Sequence, residues 1–205
     1  MKIKYLLIGI TFIGLSCSPT LKIKPLNEKT GKLPTDTRLT KNEIDADKPI
    51  DINKYKQFLF ISGSRTSSGR YGDYIVETLK EIGGFEKYYT QPELEQFVIQ
   101  NNLTDKVTSI SDRIGLLKLQ QQVGNFLLCE TRLEYLGAYE YSFDFKIIDP
   151  SNSEILLEIR HKAFNWSGLD RPLFNPVFNY YIDWLKGETK QADVINPAMG
   201  NSKRI

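Results

Sequence analysis

Between residues 138 and 164 the chain alternates large apolar and polar residues, turns once, and alternates back. Tyr139, Tyr141, Phe143, Phe145 and Ile147 share one parity, and Glu140, Ser142, Asp144 and Lys146 share the other. A period of two belongs to a pleated strand with one buried face. Asp149-Pro150-Ser151-Asn152-Ser153 supplies a turn. Ile155, Leu157 and Ile159 then return opposite Glu158, Arg160 and Lys162. A further strand, NFLLCETRLEYL, precedes this hairpin. One-sided alternation over three consecutive strands predicts an antiparallel meander with one wetter face.

The segments before the meander read differently. Residues 58–62, FLFIS, form a short apolar strand. Tyr74, Ile75, Thr78, Leu79 and Ile82 recur with helical spacing, and Gly83-Gly84 ends that helix. A second strand is expected at 85–89. Two further helices are expected, one with Leu94, Phe97 and Val98 inward and one carrying Ile114, Leu117 and Val123. Ser111 and Asp112 are able to cap the second of these. An aromatic-rich helix over about 175–186 closes the chain. The predicted fold is α/β: a two-layer sandwich on a mixed sheet of about five strands, with a C-terminal antiparallel meander and three to four helices.

Residues 1–17, MKIKYLLIGITFIGLSC, place Lys2 and Lys4 before an apolar run of eleven residues, followed by Ser16 and Cys17. The run is too short to cross about 30 Å of hydrocarbon as a stable helix. The segment resembles a bacterial lipoprotein signal, which leaves a lipid on the new terminal Cys17. Ser18 in place of Asp implies sorting to the outer membrane, with the chain facing the periplasm. The expected division is signal peptide 1–16, lipidated Cys17 and flexible tether 17–56, domain 57–187, and polar tail 188–205. The tether assignment rests on residues 18–56, whose apolar positions are scattered without period. The precursor's charge of +2 comes from Lys2 and Lys4, so the processed chain balances to zero. That excludes a dedicated nucleic-acid binder, and one His with two Cys excludes a His- or Cys-rich metal site. No metal or other cofactor is expected.

Three further segments resemble the periplasmic domain of CsgG-like lipoproteins, of the lipoprotein activators of penicillin-binding proteins (LpoB-like), and of the TolB N-terminal domain. Gly72–Phe85, Glu86-Lys87-Tyr88-Tyr89 and Leu94–Leu103 resemble that family's helix, strand and helix. Leu116–Leu128 resembles the helix that leads into a "gly-ala-asp-tyr-leu" strand, with Gly124-Asn125-Phe126-Leu127-Leu128 in its place. Phe145–Ile155 resembles a "leu-x-val-asp-x-x-thr-gly-glu-ile" hairpin. Tyr88-Tyr89 replaces the family's "glu-arg" pair, and the hairpin lacks the family glycine. The long insertions of curli-type pores are missing, so a pore is rejected. The resemblance implies a non-enzymatic envelope lipoprotein that binds and positions or activates a protein complex, such as a peptidoglycan synthase or transport machinery.

Few residues carry chemistry. Gly63–Arg70 lies between a strand and a helix, as a phosphate loop would, but Arg70 and Tyr71 stand where Lys and Ser/Thr are needed. Arg65 and Arg70 are therefore candidates for partner contact. An enzyme or ligand-binding domain using this loop is one alternative, and a self-assembling structural subunit is another. His161, beside Arg160 and Lys162, is expected on the polar register of its strand, and Cys129 as a small buried thiol. Seven aromatics crowd residues 164–184. Phe178, Tyr181 and Trp184 have the spacing of a buried helix face. Trp166, Arg171 and Phe174 are candidates for an exposed protein-binding hot spot.

Overall fold

The computed structural model describes residues 21, 23–63, 70–166 and 168–189. Six strands form one sheet in the order β1-β6-β5-β4-β2-β3. They are β1 (Ile44–Asp47), β2 (Phe58–Ser62), β3 (Lys87–Thr90), β4 (Leu127–Gly137), β5 (Glu140–Asp149) and β6 (Glu154–Phe164). The helices are α1 (Arg70–Ile82), α2 (Gln91–Gln100), α3 (Arg113–Val123) and α4 (Asn175–Leu185). β2 pairs in parallel with β3 and β4, and β4, β5, β6 and β1 are antiparallel neighbours. The α/β sandwich on a mixed sheet with a C-terminal meander is therefore present, with six strands rather than five.

Alternation along β2 sends its side chains into two cores. Leu59 and Ile61 join Ile75 and Leu79 of α1 and Phe178, Tyr181 and Trp184 of α4. Phe58 and Phe60 join Leu94 and Val98 of α2 and Leu116 and Leu119 of α3. Phe143, Phe145, Ile147, Leu157 and Ile159 extend only the first core, so the far side of the meander keeps its charged residues. Arg160 lies there within 4.0 Å of Asp45, Asp144 and Glu158. Local chemistry ends the helices. Thr90 and Glu93 close a capping box on α2, and the Asp112 carboxylate accepts from the Gly115 N–H on α3.

The sixth strand corrects the expected tether. From Ile23 to Lys56 the chain is a strap folded over the domain, and it supplies β1 at the sheet edge. Leu33 is buried, and Asn179 of α4 clamps it twice. The Leu33 N–H donates to Asn179 Oδ1 at 2.7 Å, and Asn179 Nδ2 donates to the Leu33 carbonyl at 2.8 Å. Further along, Tyr180 donates to Asp47 and the Trp184 indole donates to the Lys48 carbonyl. At the strap's end the Tyr55 hydroxyl donates to Asp149 Oδ2 at 2.6 Å. Burial alone would raise the Asp149 pKa, but hydrogen bonds from Tyr55, Ser151 and Gln120 outweigh it and hold the carboxyl below its ordinary range. Scattered leucines and polar residues look like a linker because their partners in these bonds lie 94 to 146 positions away.

Candidate functional site

The last parallel pair of the sheet joins Ser62 to Glu130, yet β4 continues to Gly137 and β5 begins only at Glu140. The tip of this hairpin therefore projects beyond the parallel half. Gly137 pairs with Glu140 across a two-residue loop of Ala138 and Tyr139. Both loop residues are left-handed, with φ of 48° and 64°. Such a turn favours Asn and Gly, and a Tyr in it carries local strain.

The tip is aromatic. Trp166 is 79% exposed, Tyr139 62% and Tyr135 59%, with Phe164 and Leu136 also exposed. The rings associate with one another. Trp166 stacks on Tyr139 at 6.0 Å and on Phe164 at 6.2 Å, and Tyr135 meets Tyr141 at 5.0 Å. The Asn165 N–H donates to the Tyr139 carbonyl at 2.8 Å, and Asn165 Oδ1 accepts from the Gly168 N–H. These bonds hold the segment that carries Trp166 against the turn. The result is a fixed aromatic ledge of a kind that soluble monomers rarely expose without a binding role.

Of the residues singled out from sequence, Trp166 lies at the centre of this ledge. Arg171 lies on the flank, half-exposed, with Nε 3.7 Å from Asp36 Oδ2, and its carbonyl accepts from Thr35. Phe174 is a correction: it is 0% exposed. A tight turn over Asp170–Phe174 points it inward, where it meets Phe143 edge-on at 4.9 Å. It is core, not contact surface. Cys17 and Arg65 lie outside the described residues. Arg70 opens α1, and the rest of the 63–70 loop beyond Gly63 is likewise outside them. Tyr135 carries no signal of exposure in the sequence, because its parity matches the buried residues of β4, and Tyr139, expected on the apolar face of its strand, lies instead in the exposed turn. The signal that was available is their distance from the parallel strands, since a long hairpin outruns its cover.

Two residues with chemical potential are held structurally. His161 is buried, not on the polar register. Its parity is that of Leu157 and Ile159, and the strap covers it. Nδ1 faces Glu43 Oε1 at 2.5 Å, and Nε2 faces the Pro172 carbonyl at 2.8 Å. Burial would raise the Glu43 pKa, but the Thr40 N–H and His161 lower it overall. Cys129 is buried in the sheet, and burial pushes its thiol well above the ordinary value, away from nucleophilic use. Among the described residues no cluster of His, Cys, Asp and Glu could hold a metal. Among them, too, no helix is long and apolar enough to cross a membrane. A groove of about 300 Å³ lies at the opposite end from the tip, lined by Ile52, Lys56, Ile82, Ile182 and Lys186 among others.

The chain matches no protein-family model, and no curated protein sequence matches it. Several solved structures are similar. The C-terminal domain of LpoB from Salmonella enterica is 12% identical with a TM-score of 0.38, over 55% of this chain and 85% of that one. A lipoprotein from Neisseria meningitidis is 15% identical with a TM-score of 0.37, over 66% and 99%. PelC from Paraburkholderia phytofirmans, a dodecamer, is 14% identical with a TM-score of 0.36, over 69% and 95%.

Proposed function

We propose that this chain is a lipid-anchored lipoprotein of the bacterial envelope whose domain is a non-catalytic binding module. Its lipid would sit on Cys17, in the outer membrane facing the periplasm. The aromatic ledge orients the domain, and the flank beside it, with Arg171, meets a protein of an envelope assembly, such as a peptidoglycan synthase or a transport complex. The observation that carries this reading is the ledge itself, with Trp166 as its most exposed large apolar side chain. Trp and Arg are the residues that most often dominate binding energy in protein interfaces. The signal and Cys17 support the envelope location.

Two measurements test the proposal. Cys17→Ser should move the chain from the membrane to the soluble fraction. A photo-crosslinking residue at position 171 in intact cells should capture one envelope protein, recovered again when that protein is used as bait. Unchanged membrane association of Cys17→Ser, or no reciprocal capture, overturns it.

A further inference from the structure

The strap shortens the distance between anchor and domain. A free tether over 18–56 would let the domain roam on the order of 100 Å from the membrane. The described chain instead begins at Leu21, which already packs against the first core. Lys24 Nζ is then fixed 2.8 Å from Asp170 Oδ2. Asp170 is four residues from Trp166, so the strap starts at the end of the molecule that carries the ledge. Cys17 is seven residues before Lys24, a reach of roughly 25 Å even when fully extended. Anchor and ledge therefore share one end. Ile23, between Lys22 and Lys24, is also exposed there.

We propose that the aromatic ledge lies in the interfacial layer of the membrane that holds the Cys17 lipid, so that the domain stands on the bilayer by the tip of β4 and β5. This rests on the reading of Cys17 as lipidated. Three features fit a lipid surface as the occupant. The exposed rings include Trp and Tyr, whose amphipathic bodies partition to the headgroup region. The ledge sits on a projecting end, which a fluid bilayer accepts without a complementary pocket. The chain between Lys24 and Cys17 is too short to hold the ledge far from the surface. Two anchoring signals on one face also fix orientation, which a single lipid does not. The flank with Arg171 is then left free for a protein partner.

The chain has two tryptophans, and Trp184 is buried, so quenching from outside reports on Trp166. The processed, lipidated full chain is placed in phosphatidylethanolamine–phosphatidylglycerol vesicles with and without brominated acyl chains. The expected result is a blue-shifted Trp166 emission that brominated lipid quenches. The quenching should be absent in Trp166→Phe and weakened in Tyr139→Ser. Protein that floats with the vesicles but keeps water-like, unquenched Trp166 emission overturns the proposal and leaves the lipoprotein reading standing. A blue shift that follows protein density and not bromine also overturns it, in favour of a second copy on the ledge. Mass spectrometry of Cys17 separates the two ideas. If Cys17 carries no lipid, the unmodified chain is mixed with the same vesicles; quenching there supports the ledge, and its absence overturns it.

Discussion

Two groups of aromatic rings, drawn from the same fifty residues, meet opposite fates. Phe143, Phe145, Phe174, Phe178, Tyr181 and Trp184 are all nearly or fully buried. Tyr139, Phe164 and Trp166 stack in solvent, and Tyr135, also exposed, meets Tyr141. Residue type does not separate the groups, and in β4 neither does parity, because exposed Tyr135 shares it with buried Cys129 and Leu133. What separates them is cover. α4 and the Asp170–Phe174 turn lie over the lower half of the meander, and among the described residues nothing lies over its tip. A ring next to a helix contributes core energy, whereas a ring beyond the helix is available for binding.

The contrast can be broken from its buried side. Phe174→Ala should destabilise the domain by about 3–5 kcal/mol, measured by urea unfolding, because a ring touching Phe143, Phe178 and Tyr74 leaves a cavity. Next comes the strap behind α4. Asn179→Ala should cost about 1–3 kcal/mol, since it strands the Leu33 N–H and carbonyl together. Faster amide exchange at Leu33 would localise that effect, and unchanged exchange there would contradict it.

Acid tests the same clamps without a mutation. Glu43, Asp149 and Asp170 all have lowered pKa values in the fold, because hydrogen bonds outweigh the burial that would raise them; Lys24 supplies one for Asp170. Stability from a lowered carboxyl is complete above its unfolded value and is lost as pH falls through the folded one. Unfolding midpoints should therefore hold steady above about pH 5 and fall below the ordinary values, 4.5 for Glu43 and 3.8 for the two Asp.

Smaller effects sharpen the contrast. Tyr181 is fully buried, and its hydroxyl has no hydrogen-bond partner among the described residues. Tyr181→Phe removes that orphan and keeps the ring, so stability should stay level or rise by up to about 1 kcal/mol. At the exposed side Trp166→Ser should change stability by less than about 0.5 kcal/mol. A larger loss would mean that the ledge packs as core.

How much was legible in the sequence depended on whether a pattern was local. The alternation in β5 and β6, the helix periodicity from Tyr74 to Ile82 and the turn at Asp149–Ser153 set the meander and the crossover before any contact was known. Trp166 stands out in the sequence because its ring has no place on the α4 face. Three things were not legible. Ile-Asp-Ala-Asp carries no apolar run, yet pairing with Ile159 and Leu157 makes it β1. Phe174 falls just before the expected start of α4 at about residue 175, and only the tight turn there carries the face of Phe178 and Tyr181 on to it. His161 looked polar by its neighbours until the strap placed Glu43 over it.

By itself, then, the sequence determined the periodic elements and the mixed α/β order, since each is written in the spacing of neighbouring residues. Only the tertiary structure decided that residues 23–56 are a strap, which aromatics are covered, and that the start of the strap and the ledge lie at one end. Those outcomes depend on pairs such as Leu33 with Asn179 and Lys24 with Asp170, each 146 residues apart. Hydrogen bonds and ion pairs at that separation leave no periodic trace in the sequence, because each is set by where the sheet places its ends.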